Sequence, residues 1–293
     1  MPTLEEMGVN QTLLIFFEAV LASRKVVLLD QQSLGPVKSR VKTDGTVVMD
    51  ADLASEEIGY NILLRLGRPI WSEERKRPKL LGSSKPIILY DLLDGTRNHR
   101  SGAPGVTVIA ASLDEYNCVN TCVVVEVATG RVFFATIGHG TWVFHTTGDI
   151  IGDLKRAARC RVWTGKVKTG TLRSDLTPGF TKPGYRPISD SSLGELFGKL
   201  FGRYRVQTDP NGVNHSLVAF GREEVVASIT TALGGPWDVA PLLLVLEAGG
   251  YAIGYNEGQP VDARLVLEYN VLVTGNSKET VIDIASTMLN IFY

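Results

Sequence analysis

At 293 residues and 44% hydrophobic composition the chain is long enough for one large domain or two subdomains with a substantial core. Thirty Lys and Arg against 31 Asp and Glu leave a net charge of −1, so no global positive field argues for a nucleic-acid polymer and no acidic tail for a solvating arm. No apolar run reaches membrane-spanning length, and the amino terminus, MPTLEEMGVN, carries acid where a secretory signal carries base; the expectation is a soluble cytoplasmic protein without a membrane partner.

The first predicted element is a helix from Thr12 to about Leu29, with apolar residues at helical spacing and a Gln-Gln-Ser-Leu-Gly exit. A strand-turn-strand around Asp44-Gly45 follows, then a helix that starts near Asp52 and stops at Gly67. Taken alone, Asp52 is an N-cap, with Glu56 and Glu57 favourably placed in the early turns. A short strand then ends in Ser72-Glu73-Glu74 and opens into a basic loop. There Arg75, Lys76, Arg77 and Lys79 read either as a solvated turn or as a flap that attracts an anionic substrate.

Residues 87–98, IILYDLLDGTRN, are the chemical centre of the chain. An apolar, β-prone run delivers Asp91 and Asp94 three positions apart, followed by Gly95, Thr96 and Asn98. With a sharp turn after Asp91, both carboxylates and the carbonyl of Leu93 converge in an oxygen-only environment suited to a hard divalent cation such as magnesium. Gly95 and Thr96 then offer amides, and Thr96 a hydroxyl, to a neighbouring anion. Taken alone, the stretch reads more readily as a hairpin with Asp-Gly at its tip, and it is the other motifs of the chain that favour the cation site.

Beyond it, β-branched and apolar runs broken at Thr129-Gly130, Gly138 and Gly140 predict a meander of sheet, in which Cys118 and Cys122 read, with Cys160, as reduced core thiols. Trp163 to Asp190 is polar and rich in Gly and Pro, a connection between halves; a helix over 191–204 follows. In GGPWDVAPLLLVLEAGG, Asp238 precedes a helix that ends at Gly249-Gly250, with Pro241 in its first turn. Trp237 reads as a core anchor. The chain closes with a strand and a helix opened by an Asn276…Glu279 capping box. Of the four histidines, His99, His139, His145 and His215, only His99 lies beside the acid motif.

Three motifs, SEE at 72–74, DLLDGTRN at 91–98 and WDVA…EAGG at 237–250, stand in an order and spacing that resembles the inositol monophosphatase family of magnesium-dependent, lithium-sensitive phosphatases. KTDGTVVMDADLASEE is similar to that family's K-x-D-G-x-x-V-T-x-A-D segment, and the resemblance runs from about Lys42 to the carboxyl terminus. It implies a five-layer αβαβα sandwich of the sugar phosphatase type. Residues 1–160 would form an α+β half carrying most metal ligands, and residues 161–293 an α/β half contributing Asp238. Patterning alone supports a mixed α and β protein with a large sheet. By resemblance Glu73, Asp91 and the Leu93 carbonyl hold a first ion, Asp91, Asp94 and Asp238 a second, and Glu73 touches a third. Asp52 pairs with Thr96 to orient water, making Glu73, Thr96 and Asp52 the catalytic set, while Gly95, Thr96, Asn98 and Asp238 meet the substrate. Glu74 matches the second acid of the family's double-Glu element.

The implied activity is Mg²⁺-dependent hydrolysis of a small phosphorylated metabolite, with two or three ions per site and, from the family's habit, a homodimer. Alternatives are 3'(2'),5'-bisphosphate nucleotidase or fructose-1,6-bisphosphatase activity, or a catalytically weak relative that binds phospho-ligands. The departures bear on this choice. Leu92 stands where the family has Pro, and Met49 where a Thr is common. The G-S/T-A-A segment has no clear counterpart in TDPNGVNHSLVAFG, and the position of the acid that reads inositol hydroxyls is Thr231. Inositol phosphate itself is therefore not the expected substrate.

Overall fold

The computed structural model describes residues 2–33, 39–41, 47–75, 86–164, 170–174, 190–201, 203–208, 211–221, 225–231, 235–256, 258–267 and 271–292. The Asp44-Gly45 turn and Lys76, Arg77 and Lys79 of the basic loop lie outside them.

Helix α1, Gln11–Gln32, is opened by Asn10, whose side chain accepts from the Leu13 amide at 3.0 Å. Leu13, Phe16, Phe17, Val20 and Val27 recur at helical spacing on its buried face. A ribbon of β1, Ser39–Val41, and β2, Val47–Met49, leads into α2, Asp50–Leu63. A 3₁₀ turn over Leu64–Leu66 then ends at Gly67, whose φ of 61° lies in the left-handed region that favours glycine. The two helices and the sheet beneath are locked by hydroxyls: Ser23 Oγ donates to the Ser55 carbonyl at 3.0 Å and lies 2.8 Å from the Tyr90 hydroxyl. A Cβ at Gly59 would overlap that hydroxyl, so α2 needs glycine there to approach.

The larger sheet comprises β3, Ile70–Ser72; β4, Ile88–Asp94; β5, Thr107–Leu113; β6, Val119–Glu126; β7, Arg131–Thr136; β8, Thr141–His145; and β9, Ala158–Arg159. Its strands lie in sequence order, β3 parallel to β4 and the rest antiparallel, the expected meander. Short helices α3, Thr96–Ser101, and α4, Ile150–Leu154, follow β4 and β8. The second sheet holds β10, Gly170–Ser174; β11, Tyr204–Thr208; β12, Val225–Thr231; β13, Tyr251–Asn256; β14, Gln259–Val261; and β15, Val271–Gly275, in the order β11-β10-β12-β15-β13-β14. Helices α5, Asp190–Phe201; α6, Asn211–Phe220; α7, Pro236–Val239; α8, Leu242–Glu247; and α9, Lys278–Phe292, belong to this half of the sequence.

Burial sorts these elements into layers. Along β4, β5 and β6 alternate residues go to opposite cores: Ile88, Tyr90, Val108, Ala110, Val123 and Val125 pack with α1 and α2, while Leu89, Ile109, Ala111, Cys122 and Val124 pack with α6, α7 and α8. Both faces are covered, which is why the strands read as continuous apolar runs. The second sheet is likewise two-faced, with Leu272 toward α6 to α8 and Val273 toward α5 and α9. The layers run α1/α2, first sheet, α6 to α8, second sheet, α5/α9, which is the expected αβαβα sandwich.

Several local expectations change. The segment expected to be a polar connection contains β10, a central strand paired parallel with both β11 and β12. The helix after Asp238 is two short helices, and Asp238 lies inside the first. Pro236, not Pro241, occupies the first turn of α7, while Pro241 caps α8. The closing helix is capped by Ser277, whose hydroxyl accepts from the Thr280 amide at 3.2 Å, while Asn276 donates to the Trp163 carbonyl.

Candidate metal and phosphate site

Two carboxylates three residues apart on a regular strand point to opposite faces of its sheet. In β4 they do not, because Asp91 stands opposite Ile109 and Asp94 opposite Thr107: three steps on one strand match two on the other, a β-bulge. Ile109 belongs to the core between the sheets, so both acids face that inner side. The strand therefore continues through the acid motif to Asp94 instead of turning sharply after Asp91. Asp91 Oδ1 accepts from the Leu93 amide at 3.0 Å, which holds the bulge, and Gly95 at φ 96° makes the exit that Cβ-bearing residues rarely adopt.

Asp238 arrives from the inner helical layer itself. It is the third residue of α7, and its Oδ2 accepts from the Gly235 amide at 3.0 Å, the reach-back of an N3 acid to the start of its helix. Beneath it Trp237 packs edge-on against Trp71, with ring centroids 5.8 Å apart, the anchoring role expected of it. Asp91, Asp94 and Asp238 are all buried, and each offers a carboxylate oxygen within 4.8 Å of the others.

At that separation, with an effective dielectric of about 20, each pair of full charges repels by on the order of 3 kcal/mol. Burial pushes the Asp91 carboxyl well above its ordinary range, and the charges of Glu73, Asp94 and Asp238 push it further. A convergent, buried, oxygen-only set that resists ionisation without a counter-charge is the chemistry of a hard divalent cation site, and these residues fit magnesium.

The remaining expected residues divide between those that line a cavity with Asp91 and those held by other partners. Glu73 sits exposed in the turn after β3 and lines a small cavity with Asp52, Glu74, Asp91, Leu92 and Leu93. Asp52 is the third residue of α2, not its cap, and its Oδ2 accepts from the Met49 amide at 2.6 Å. The Thr96 hydroxyl donates to the Leu93 carbonyl at 3.3 Å. Asn98 donates to the Pro104 carbonyl at 2.8 Å, closing the loop behind α3. His99 is turned to α1, with Nε2 2.8 Å from Asp30 Oδ2. Arg75, the described member of the basic loop, is anchored: it is ion-paired to Glu56 at 3.2 Å and lies 3.7 Å over the Tyr60 ring.

Sequence reasoning missed two groups. The Gly212 amide, at the start of α6, donates to Asp94 Oδ2 at 2.7 Å, and the Thr107 hydroxyl donates to the same oxygen at 2.8 Å. The signal for the first was an Asn-Gly pair just ahead of the helical segment VNHSLVAF. For the second it was a lone threonine at the head of the β5 run, directly across from Asp94 once the bulge is allowed.

No family model matches the sequence, and no curated protein does either. Solved structures do. The extragenic suppressor protein SuhB from Bartonella henselae superposes with a TM-score of 0.75 at 18% identity, covering 95% of this chain and 98% of that one. The IMPase of Thermotoga maritima gives 0.73 at 19%, over 96% and 99%. CysQ from Bacteroides thetaiotaomicron, described as a bacterial member of the inositol monophosphatase family, gives 0.68 at 16%, over 90% and 96%. Along nearly its whole length, then, this chain has the fold of the inositol monophosphatase family.

Proposed function

We propose that the chain is a magnesium-dependent phosphomonoesterase of the inositol monophosphatase family that releases phosphate from a small phosphorylated metabolite. The observation that carries this reading is the mutual approach of Asp91, Asp94 and Asp238 within 4.8 Å, on a fold shared with that family. Under it, Asp91, Asp94 and Asp238, joined by Glu73 and the Leu93 carbonyl, hold two or three ions. When bound, such cations neutralise phosphate charge and make water a usable nucleophile near neutral pH.

The chain's own residues then have separate tasks. The Asp91/Asp94 bulge brings acid from the larger sheet and α7 brings it from the facing helical layer. Gly95 turns the chain so that the amides of Gly95 and Thr96 are available to a phosphate. Glu73, the exposed acid, stands on the solvent side, where it and the Asp52/Thr96 region orient the attacking water. The absence of a clear G-S/T-A-A counterpart in TDPNGVNHSLVAFG and the threonine at 231 support an alcohol other than inositol.

The test is turnover of p-nitrophenyl phosphate after chelation and dialysis, with and without Mg²⁺, beside Asp94→Asn and Thr96→Ala. Activity should require Mg²⁺ and fall roughly 10²–10³-fold in Asp94→Asn. Full activity in the chelated sample, or equal rates in all three proteins, would refute the reading; a panel of phosphorylated metabolites then identifies the substrate.

A further inference from the structure

We propose that Thr107 is a positioning residue for the cation site, acting through Asp94. The inference rests on the reading of Asp91, Asp94 and Asp238 as that site.

A buried hydroxyl needs a partner, and in the run TVIAASL the Thr107 hydroxyl finds one in a site carboxylate. Thr107 is fully buried, and a valine would fill the same volume, so packing alone does not call for the oxygen. Its hydrogen bond at 2.8 Å and that of the Gly212 amide at 2.7 Å converge on Asp94 Oδ2 from two different layers, β5 and the first turn of α6. Hydrogen bonds to a carboxylate are among the stronger ones, and two on one oxygen fix both side-chain torsions. They anchor Oδ2 and so hold the carboxylate in the orientation in which it faces Asp91 and Asp238.

The steric setting agrees. A Cβ at position 212 would overlap Thr107 Oγ1 and stand 3.1 Å from Asp94 Oδ2, so the amide reaches the carboxylate only because residue 212 is glycine. Groups that orient a ligand in this way typically contribute ten- to a hundred-fold to metal affinity.

The experiment follows melting temperature against Mg²⁺ concentration in chelated wild type, Thr107→Val and Thr107→Ser. Wild type should be stabilised by Mg²⁺. Thr107→Val, with a methyl group for the hydroxyl, should need roughly ten-fold more Mg²⁺ or beyond for half its shift. Thr107→Ser, which restores the donor, should return to the wild-type concentration. A wild type that responds to Mg²⁺ and a Thr107→Val that responds over the same concentrations would overturn the role of Thr107 while leaving the cation site standing. A wild type insensitive to Mg²⁺ overturns both. Should Thr107→Val not fold, Thr107→Ala is titrated in its place against the same criterion.

Discussion

The two sheets bury polar groups by different means. Behind the larger one the lock is the Tyr90 and Ser23 hydroxyls with the Ser55 carbonyl, groups whose charge does not change near neutral pH; burial pushes the Tyr90 phenol upward. Against the smaller one the lock is His215, fully buried, with Nε2 3.1 Å from the Thr230 hydroxyl and Nδ1 3.3 Å from that of Thr274. Burial pushes this imidazole down to about 3. The Tyr90 lock is thus indifferent to acid, while the smaller sheet is pinned to α6 by a group that must stay neutral. This difference matters for the site because α6 is the helix whose first turn holds Asp94.

The largest effect expected is on the acid-indifferent side. Phe134 is fully buried and packs edge-on against Phe17 at 5.1 Å and Phe144 at 6.0 Å. Phe134→Ala should cost about 3–5 kcal/mol in urea unfolding at any pH where the fold is intact. A loss that varied with pH as steeply as the acid effect described next would erase the contrast.

That second effect belongs to His215. Its folded pKa lies below the unfolded one, so as pH falls the unfolded chain takes up a proton that the folded chain refuses. Stability should fall as pH is lowered from about 6.5 toward 3, with a slope approaching 1.4 kcal/mol per pH unit from this residue alone. Urea midpoints of wild type and His215→Gln over that window test it; parallel pH profiles would remove His215 as the cause.

The smallest effect sharpens the comparison at the edge of the larger sheet. Glu56 accepts from the Ser72 hydroxyl, and burial raises its carboxyl despite the opposing pull of Ser72 and Arg75. Arg75→Ala should therefore destabilise by about 1 kcal/mol through the lost ion pair and ring contact. It should leave kcat/KM for p-nitrophenyl phosphate near the wild-type value. A drop in kcat/KM much larger than the loss of stability would move Arg75 from anchor to substrate contact.

Legibility followed burial. The strands of the larger sheet announced themselves because two covered faces make apolar runs, as in 87–90 and 122–125, and α1 did so by its spacing. Strand β10, GTLRS, did not, since five residues with three polar side chains carry no period, and its place is set by parallel neighbours far along the chain. At the site, residue types and order marked Asp91, Asp94 and Asp238, but not the bulge that turns the first two to one face. A bulge is a misfit between two strands, and Asp-Gly more readily suggests a hairpin. Gly212 and Thr107 escaped notice for the same reason: their meaning lies in what stands opposite them.

Glu247 has a mechanical consequence. Its two carboxylate oxygens accept from the Gly138 and Gly140 amides at 2.9 and 2.8 Å, and the Thr141 hydroxyl donates to the Leu244 carbonyl beside them, stitching α8 to the tip between β7 and β8. That seam lies three strand spacings from β4, about 14 Å along the larger sheet. Charge repulsion among the acids is thus borne by a helical layer already tethered to the larger sheet at a second, distant point.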